Sequence, residues 1–130
     1  KSQMDQGADV IYAAGGTGVG VLQAAADAGK LGIGVDSNQN HLQPGHVLTS
    51  MLKRVDVAVY DAFTDAMNDE FETGINVLGL AENGVGYAMD ENNKDLVSQE
   101  MIDAVEKAKA EIIAGNIEVH DYMSDNSCPY

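Results

Sequence analysis

Short apolar runs that end in glycine or polar turns alternate along this chain with longer stretches in which apolar residues recur at helical spacing. Val10 to Ala14 is a short apolar run ending in glycines, and Val19 to Ala28 is alanine-rich with Gly29 placed as a helix stop, so together they predict strand, turn and helix. Leu31 to Val35 predicts a second buried strand, and two strands joined through a helix of this length imply a parallel, right-handed crossover. The polar stretch from Asn38 to His46 carries the turn pair Pro44 and Gly45, after which Val47 to Leu52 predicts a third strand. Val55, Ala58, Val59, Ala62, Phe63, Ala66 and Met67 then follow helical spacing, with Asp56, Asp61 and Asp65 mostly off that stripe. Such a helix is expected to bury one side.

The second half is less determinate. Ile75 to Leu80 and Val85 to Met89 are strand-like, and Glu82, Asn83 and Gly84 between them suit either a hairpin bend or one irregular strand. Ser98 is placed to cap a helix whose apolar face is Met101, Ile102, Val105, Ala108, Ile112 and Ile113, with Asp103 and Lys107 spaced as an ion pair and Gly115 as its stop. Ile117 to His120 suits a final short strand, and Ser124 to Tyr130 is expected to be a mobile polar tail. The pattern is that of a single α/β domain without internal repeats.

Charge narrows the partners. Seven Lys and Arg against 21 Asp and Glu give a net charge of -14 over 130 residues, which opposes binding to nucleic-acid phosphates or an anionic membrane surface. Cys128 is the one cysteine, so neither an internal disulfide nor a cysteine metal cluster is expected. No apolar stretch approaches the roughly 20 residues a membrane span requires, and no basic start leads into an apolar signal core. The first residue is Lys1 rather than Met, and Gly7-Ala8-Asp9-Val10 enters a strand almost at once, so a processed or truncated chain is expected.

The candidate chemistry lies in the turn Ala14-Gly15-Gly16-Thr17-Gly18-Val19-Gly20 and in Asp36 at the end of the next strand. Glycines allow close approach of a ligand to the backbone, and a carboxylate at an adjacent strand end can accept hydrogen bonds from vicinal hydroxyls. With Thr17 as cap, the N–H groups of Gly18, Val19 and Gly20 would form an electropositive mouth. The same glycines also suit a tight strand-to-helix turn with no ligand. Asp36 lies 20 positions past Gly16, as in a dinucleotide fingerprint, but Val21 stands where the third glycine belongs. No Gly-Lys-Ser/Thr triplet marks a phosphate-cradling loop. Asp36 also suits an Asx turn with Ser37 and Asn38. Lys53, after the third strand, can reach a ligand oxygen, hold Asp36 or simply be solvated. His41, His46 and His120 lack metal-ligand spacing and are read as loop or strand-end residues; no metal site is expected. No serine or cysteine sits in a nucleophile-elbow context.

Three segments, Gly7 to Gly18, Ile33-Gly34-Val35-Asp36 and Leu48-Thr49-Ser50-Met51-Leu52-Lys53-Arg54-Val55-Asp56, together resemble the basic membrane protein family of ABC-transporter substrate-binding lipoproteins. The resemblance runs through the last helix. It implies one α/β lobe of a type I periplasmic-binding-protein fold, in which two lobes close over a ligand, typically a purine nucleoside. By motif, Gly15 and Gly16 would contact the ligand, Asp36 would hold ribose hydroxyls and Lys53 would add a polar contact near the interlobe crossing. Residues 1–130 would then be a partial C-terminal lobe, lacking the first lobe, the base-stacking aromatic residues and the lipid-bearing cysteine. The helix at 54–70 would pack on that first lobe and, exposed without it, would favour dimerisation or segment exchange. The implied role is extracytoplasmic delivery of a nucleoside to a permease, without catalysis or cofactor. The alternatives are a Rossmann-like NAD-dependent oxidoreductase fragment using the same turn and Asp36, a sugar-binding relative, and an interaction module in which these residues are architectural.

Overall fold

The computed structural model describes residues 1–16 and 18–129. The expected capping role of Thr17 therefore lies outside the described residues. The chain forms two compact units, Lys1–Ser98 and Gln99–Tyr130.

In the first unit, a short helix α1 (Ser2–Asp5) leads through Gly7, in the left-handed region at φ 99°, into strand β1 (Val10–Tyr12). Helix α2 (Gly18–Asp27) follows, then β2 (Leu31–Gly34), a 3-10 turn at Asn40–Leu42, β3 (Val47–Lys53), α3 (Val55–Met67) and β4 (Val85–Tyr87). The sheet order is β1-β2-β3-β4, parallel for the first three strands and antiparallel between β3 and β4. The expected parallel α/β sheet is thus present, with an antiparallel edge added by β4.

Helix α2 ends as its sequence predicts. Gly29 adopts φ 64°, its N–H donates to the Ala26 carbonyl at 3.0 Å, and the Lys30 N–H donates to that of Ala25 at 2.9 Å. These paired bonds satisfy carbonyls that the helix leaves open. Gly18, Leu22 and Ala25 form the buried face of α2. A Cβ on Gly32 would lie 2.5 Å from Leu22 Cδ2, so the missing side chain in β2 lets α2 sit directly on the sheet. Ile11, Val35, Val47 and Ala88 complete the buried apolar core.

Helix α3 has the predicted span, and most of its apolar stripe is exposed, as the resemblance implied for this chain. Val55, Val59, Phe63 and Met67 are exposed, Phe63 to 69% and Met67 to 84%, whereas Asp61 and Asp65 share the half-buried side with Ala58 and Ala62. Residues 75–80 form no strand: Ile75 is 95% exposed, and the segment does not join the free edge of β4. Of the two arrangements the pattern allowed, neither a two-stranded hairpin nor a continuous strand forms. Asn83 at φ 57° turns the chain, and only Val85–Tyr87 joins the sheet.

The second unit contains α4 (Gln99–Ile113), ending at Gly115 with φ 75°, and a short helix α5 (Tyr122–Asp125). Asp103 accepts from Gln99 Nε2 at 2.8 Å rather than serving the expected pair with Lys107. Residues 117–120 are not a strand. Part of the expected polar tail is the helical turn α5, because the Asp121 carboxylate accepts the Met123 N–H at 2.9 Å and caps it.

The contrast between α2 and α3 is directly measurable. Leu22→Ala is expected to lower unfolding free energy by about 2–5 kcal/mol, and Phe63→Ser to change it by less than about 0.5 kcal/mol, in denaturant titrations of this 130-residue chain.

Candidate functional site

β1, β2 and β3 run in the same direction, so the segments that leave their C-terminal ends gather at one edge of the sheet. That edge is where open α/β sheets bind ligands. The glycine turn follows β1, Asp36 follows β2, and Lys53 ends β3.

At the turn, the Gly18 N–H donates to the Gly15 carbonyl at 3.2 Å. A Cβ on Gly18 would touch Val35 Cγ1 at 3.4 Å, which brings the start of α2 against the residue preceding Asp36. Gly15 and Gly16 are exposed, do not adopt positive φ, and face open space within 4 Å of where a Cβ would stand. Neither backbone conformation nor packing within the chain explains glycine at these two positions.

Asp36 occupies the left-handed region at φ 69°. The Ser37 N–H donates to the Val35 carbonyl at 2.9 Å, closing a tight three-residue turn centred on Asp36. A non-glycine residue in this region costs about 1–3 kcal/mol and persists only where its surroundings over-determine it. The Asp36 carbonyl accepts the Lys53 N–H at 2.9 Å, and Lys53 Nζ lies 3.2 Å from Asp36 Oδ1. Both side chains are more than half exposed, at 53% for Asp36 and 58% for Lys53. The pair therefore contributes no more than about 1 kcal/mol and opens readily. Holding Asp36 is one of the roles the sequence left open for Lys53. An Asx turn is present too, but Asn38 makes it, its Oδ1 accepting the Asn40 N–H at 3.0 Å.

A groove of about 450 Å³ lies beside the pair, lined by Asp36, Ser37, Asn38, Leu52, Lys53, Arg54, Val55 and Asp56. Gly15 and Gly16 are not among its lining residues, so the structure brings Asp36 and Lys53 together and places the glycine turn on the same edge without joining the groove. Across its mouth Arg54 pairs with Asp56 at 2.8 Å, which holds the Asp56 carboxyl below the usual range through the hydrogen bond from Arg54. Among the described residues, no group of three or more His, Cys, Asp or Glu is placed to hold a metal ion. His41 lies in the 3-10 turn, while the His46 ring sits against the Lys30 carbonyl and that of His120 against the Ser127 carbonyl.

Behind the loop lies a polar network that sequence reasoning missed. The Val35 N–H donates to Gln39 Oε1 at 3.1 Å, the Gln39 N–H to Ser50 Oγ at 3.0 Å, and Ser50 Oγ to Asn40 Oδ1 at 2.8 Å. Asn38 and Asn40 both donate to Asp90 Oδ2, at 2.7 and 3.1 Å. Asn93 accepts the Asp90 N–H and donates to the Leu48 and Ala88 carbonyls, each at 2.9 Å. Asn40, Ser50 and Asn93 are fully buried. A Cβ on Gly34 would lie 2.5 Å from Ser50 Oγ and 2.9 Å from Gln39 Cβ, so glycine there is a condition of the network. The signals available were Ser50 inside an apolar strand and the Asn- and Asp-rich segments at 36–40 and 90–93, which read as ordinary polar loops.

The family profile described as "ABC transporter substrate-binding protein PnrA-like" (Bmp) matches residues 1–122. The chain belongs to this family. Bmp relatives include an uncharacterized lipoprotein of Pyrococcus abyssi, 45% identical over 91 residues that make up 65% of this chain and 22% of that protein. Basic membrane protein D of Borreliella burgdorferi is 37% identical over 102 residues, covering 72% of this chain and 29% of its own. Among solved structures, an ABC transporter solute-binding protein from Aeropyrum pernix K1 superposes with a TM-score of 0.74 at 30% identity, covering 92% of this chain and 42% of that one. The chain thus spans less than half the length of each of these proteins. Its α/β sheet is part of the periplasmic-binding-protein fold seen in solute-binding proteins. Bmp membership favours a binding protein over the dinucleotide oxidoreductase that the turn and Asp36 also allowed.

Two carboxyls are expected to make this Bmp chain less stable in acid. Asp90 is held below the usual carboxylate range first by the Asn38 hydrogen bond, then by the Asn92 N–H, and Asp9 is lowered by its hydrogen bond and charge pair with Lys30. A carboxyl with a lowered folded pKa adds stability that is complete above its unfolded value, about 3.9, and is lost as pH falls through the folded value. Urea titrations between pH 5 and pH 3 are expected to show a smaller loss of stability for Asp90→Asn than for the unsubstituted chain.

Proposed function

We propose that this chain supplies the sugar-recognising wall of a nucleoside site in an extracytoplasmic solute-binding protein, which hands its ligand to an ABC permease. The observation that carries the reading is the Asp36 carboxylate, held in a left-handed turn at the ligand-binding edge of the sheet and paired with Lys53 beside an open groove. A carboxylate is an acceptor with two oxygens and suits two neighbouring hydroxyl donors, as on a ribose. Lys53 offsets part of the local negative charge and offers an ammonium to a ligand oxygen. Gly15 and Gly16, with open space beside them, leave the backbone free to approach the ligand.

No aromatic side chain lines the groove, so it can recognise the sugar but cannot stack a base. Base recognition belongs to residues elsewhere in a two-lobed protein, with closure of the lobes as the working step. The Pyrococcus abyssi relative is a lipoprotein, which supports a membrane-anchored, extracytoplasmic setting. The exposed stripe of α3 is proposed to pack on the other lobe.

In full-length protein, Asp36→Ala is expected to weaken nucleoside binding about 100-fold or more by calorimetry, since charge-assisted hydrogen bonds contribute about 1.5–3 kcal/mol each. Unchanged affinity would remove Asp36 from the site. For the 130-residue chain alone, light scattering at rising concentration is expected to show self-association that Phe63→Ser suppresses; a strictly monomeric chain would count against the packing role of α3.

A further inference from the structure

Asp90 lies outside the groove, yet its carboxylate is fully engaged. Oδ2 accepts from Asn38 Nδ2 at 2.7 Å and Asn40 Nδ2 at 3.1 Å, while Oδ1 accepts from the Asn92 N–H at 2.7 Å and Asn92 Nδ2 at 3.1 Å. Four donors converge on one side chain, and only a group that is acceptor on both oxygens can satisfy them all. An amide would turn its own N–H groups toward two of the donors. Asp90 is itself held as a fixed post, because its N–H donates at 2.8 Å to Asn93, which is fully buried and bonded to β3 and to Ala88.

Asn38 stands on both sides of the arrangement. It lines the groove with Asp36 and Lys53, it accepts the Asn40 N–H, and its amide is clamped by Asp90. Asp36 stands two residues earlier, in the left-handed region at φ 69°, which costs more for an aspartate than for a glycine. On its other side Val35 is held by Gln39 through the same network. We propose that Asp90 is a positioning residue for the ligand site, clamping Asn38 and Asn40 so that the loop presents the Asp36 carboxylate to the groove. This rests on the reading that Asp36 takes sugar hydroxyls.

The test is a double-mutant cycle in full-length protein with two probes, adenosine and 2′,3′-dideoxyadenosine, which lacks the hydroxyl pair. Asp90→Ala is expected to weaken adenosine binding tenfold or more and to change dideoxyadenosine binding less than twofold. In an Asp36→Ala background the same substitution should alter adenosine binding less than twofold. Equal losses for both probes, or additive effects in the cycle, would show a merely structural residue and overturn the proposal. Asp90→Asn, which keeps the shape but loses acceptors, should give the same pattern with a smaller loss and serves where Asp90→Ala does not fold. A ligand-free reading separates this proposal from the nucleoside assignment: amide exchange at Ser37 and Lys53 should quicken at least tenfold in Asp90→Asn while that of Leu22 is unchanged. If the unsubstituted protein binds no adenosine, the nucleoside reading fails alone; unchanged exchange at Ser37 and Lys53 overturns the positioning role.

Discussion

Everything specific about this sheet edge depends on one backbone conformation, the left-handed state of Asp36. It turns the chain out of β2 directly after Gly34 and Val35, puts the carboxylate beside Lys53, and returns the following residues over the edge of β3. A glycine would adopt that conformation at less cost but would bring no charge. The chain instead keeps an aspartate and supports it from behind with a network of Gln39, Asn40, Ser50, Asp90 and Asn93, of which Asn40, Ser50 and Asn93 are buried. Such networks are favourable only when complete. Here the buried side-chain polar atoms of the described residues all have partners.

The network also explains the shape of the sheet. A bulge between Gly32 and Ile33 brings Gly34 opposite Ser50, where the absence of a side chain leaves room for the Ser50 hydroxyl and Gln39. β4 continues the same logic from the other side. Its antiparallel pairing with β3 leads into Ala88, whose carbonyl accepts from Thr49 and Asn93, and so delivers Asp90 to the loop that carries Asp36. The antiparallel edge strand is thus tied to the construction of the candidate site.

Local signals made much of the fold legible in the sequence. Alanine-rich spacing with Gly29, and the repeat from Val55 to Met67, predicted α2 and α3 because helix periodicity and glycine stops act within a few residues. Asp36 and the glycine turn stood out for the same reason, and Lys53, a candidate from its position after β3, was strengthened by family resemblance. What sequence reasoning missed is non-local. Residues 75–80 look like a strand, but Ile75 and Val77 stay exposed and the segment pairs with no strand of the sheet. Asp90 pairs with Asn38 across 52 positions, and no periodicity carries that information. The α3 stripe was legible as a surface that calls for cover, and the resemblance implied the exposure that Val55, Val59, Phe63 and Met67 show here. Membership of the Bmp family, together with the short share of its relatives that this chain spans, makes the other lobe the proposed cover.

The central claim is that Asp36, set by its network, is the sugar-binding carboxylate of this lobe. A crystal structure of full-length protein grown with a purine ribonucleoside tests it most directly. The account predicts both ribose hydroxyls within hydrogen-bond distance of the Asp36 carboxylate, Lys53 beside them, and Asn38 still held by Asp90. A nucleoside bound with its ribose away from Asp36, or a loop that abandons Asp90 on binding, would contradict it.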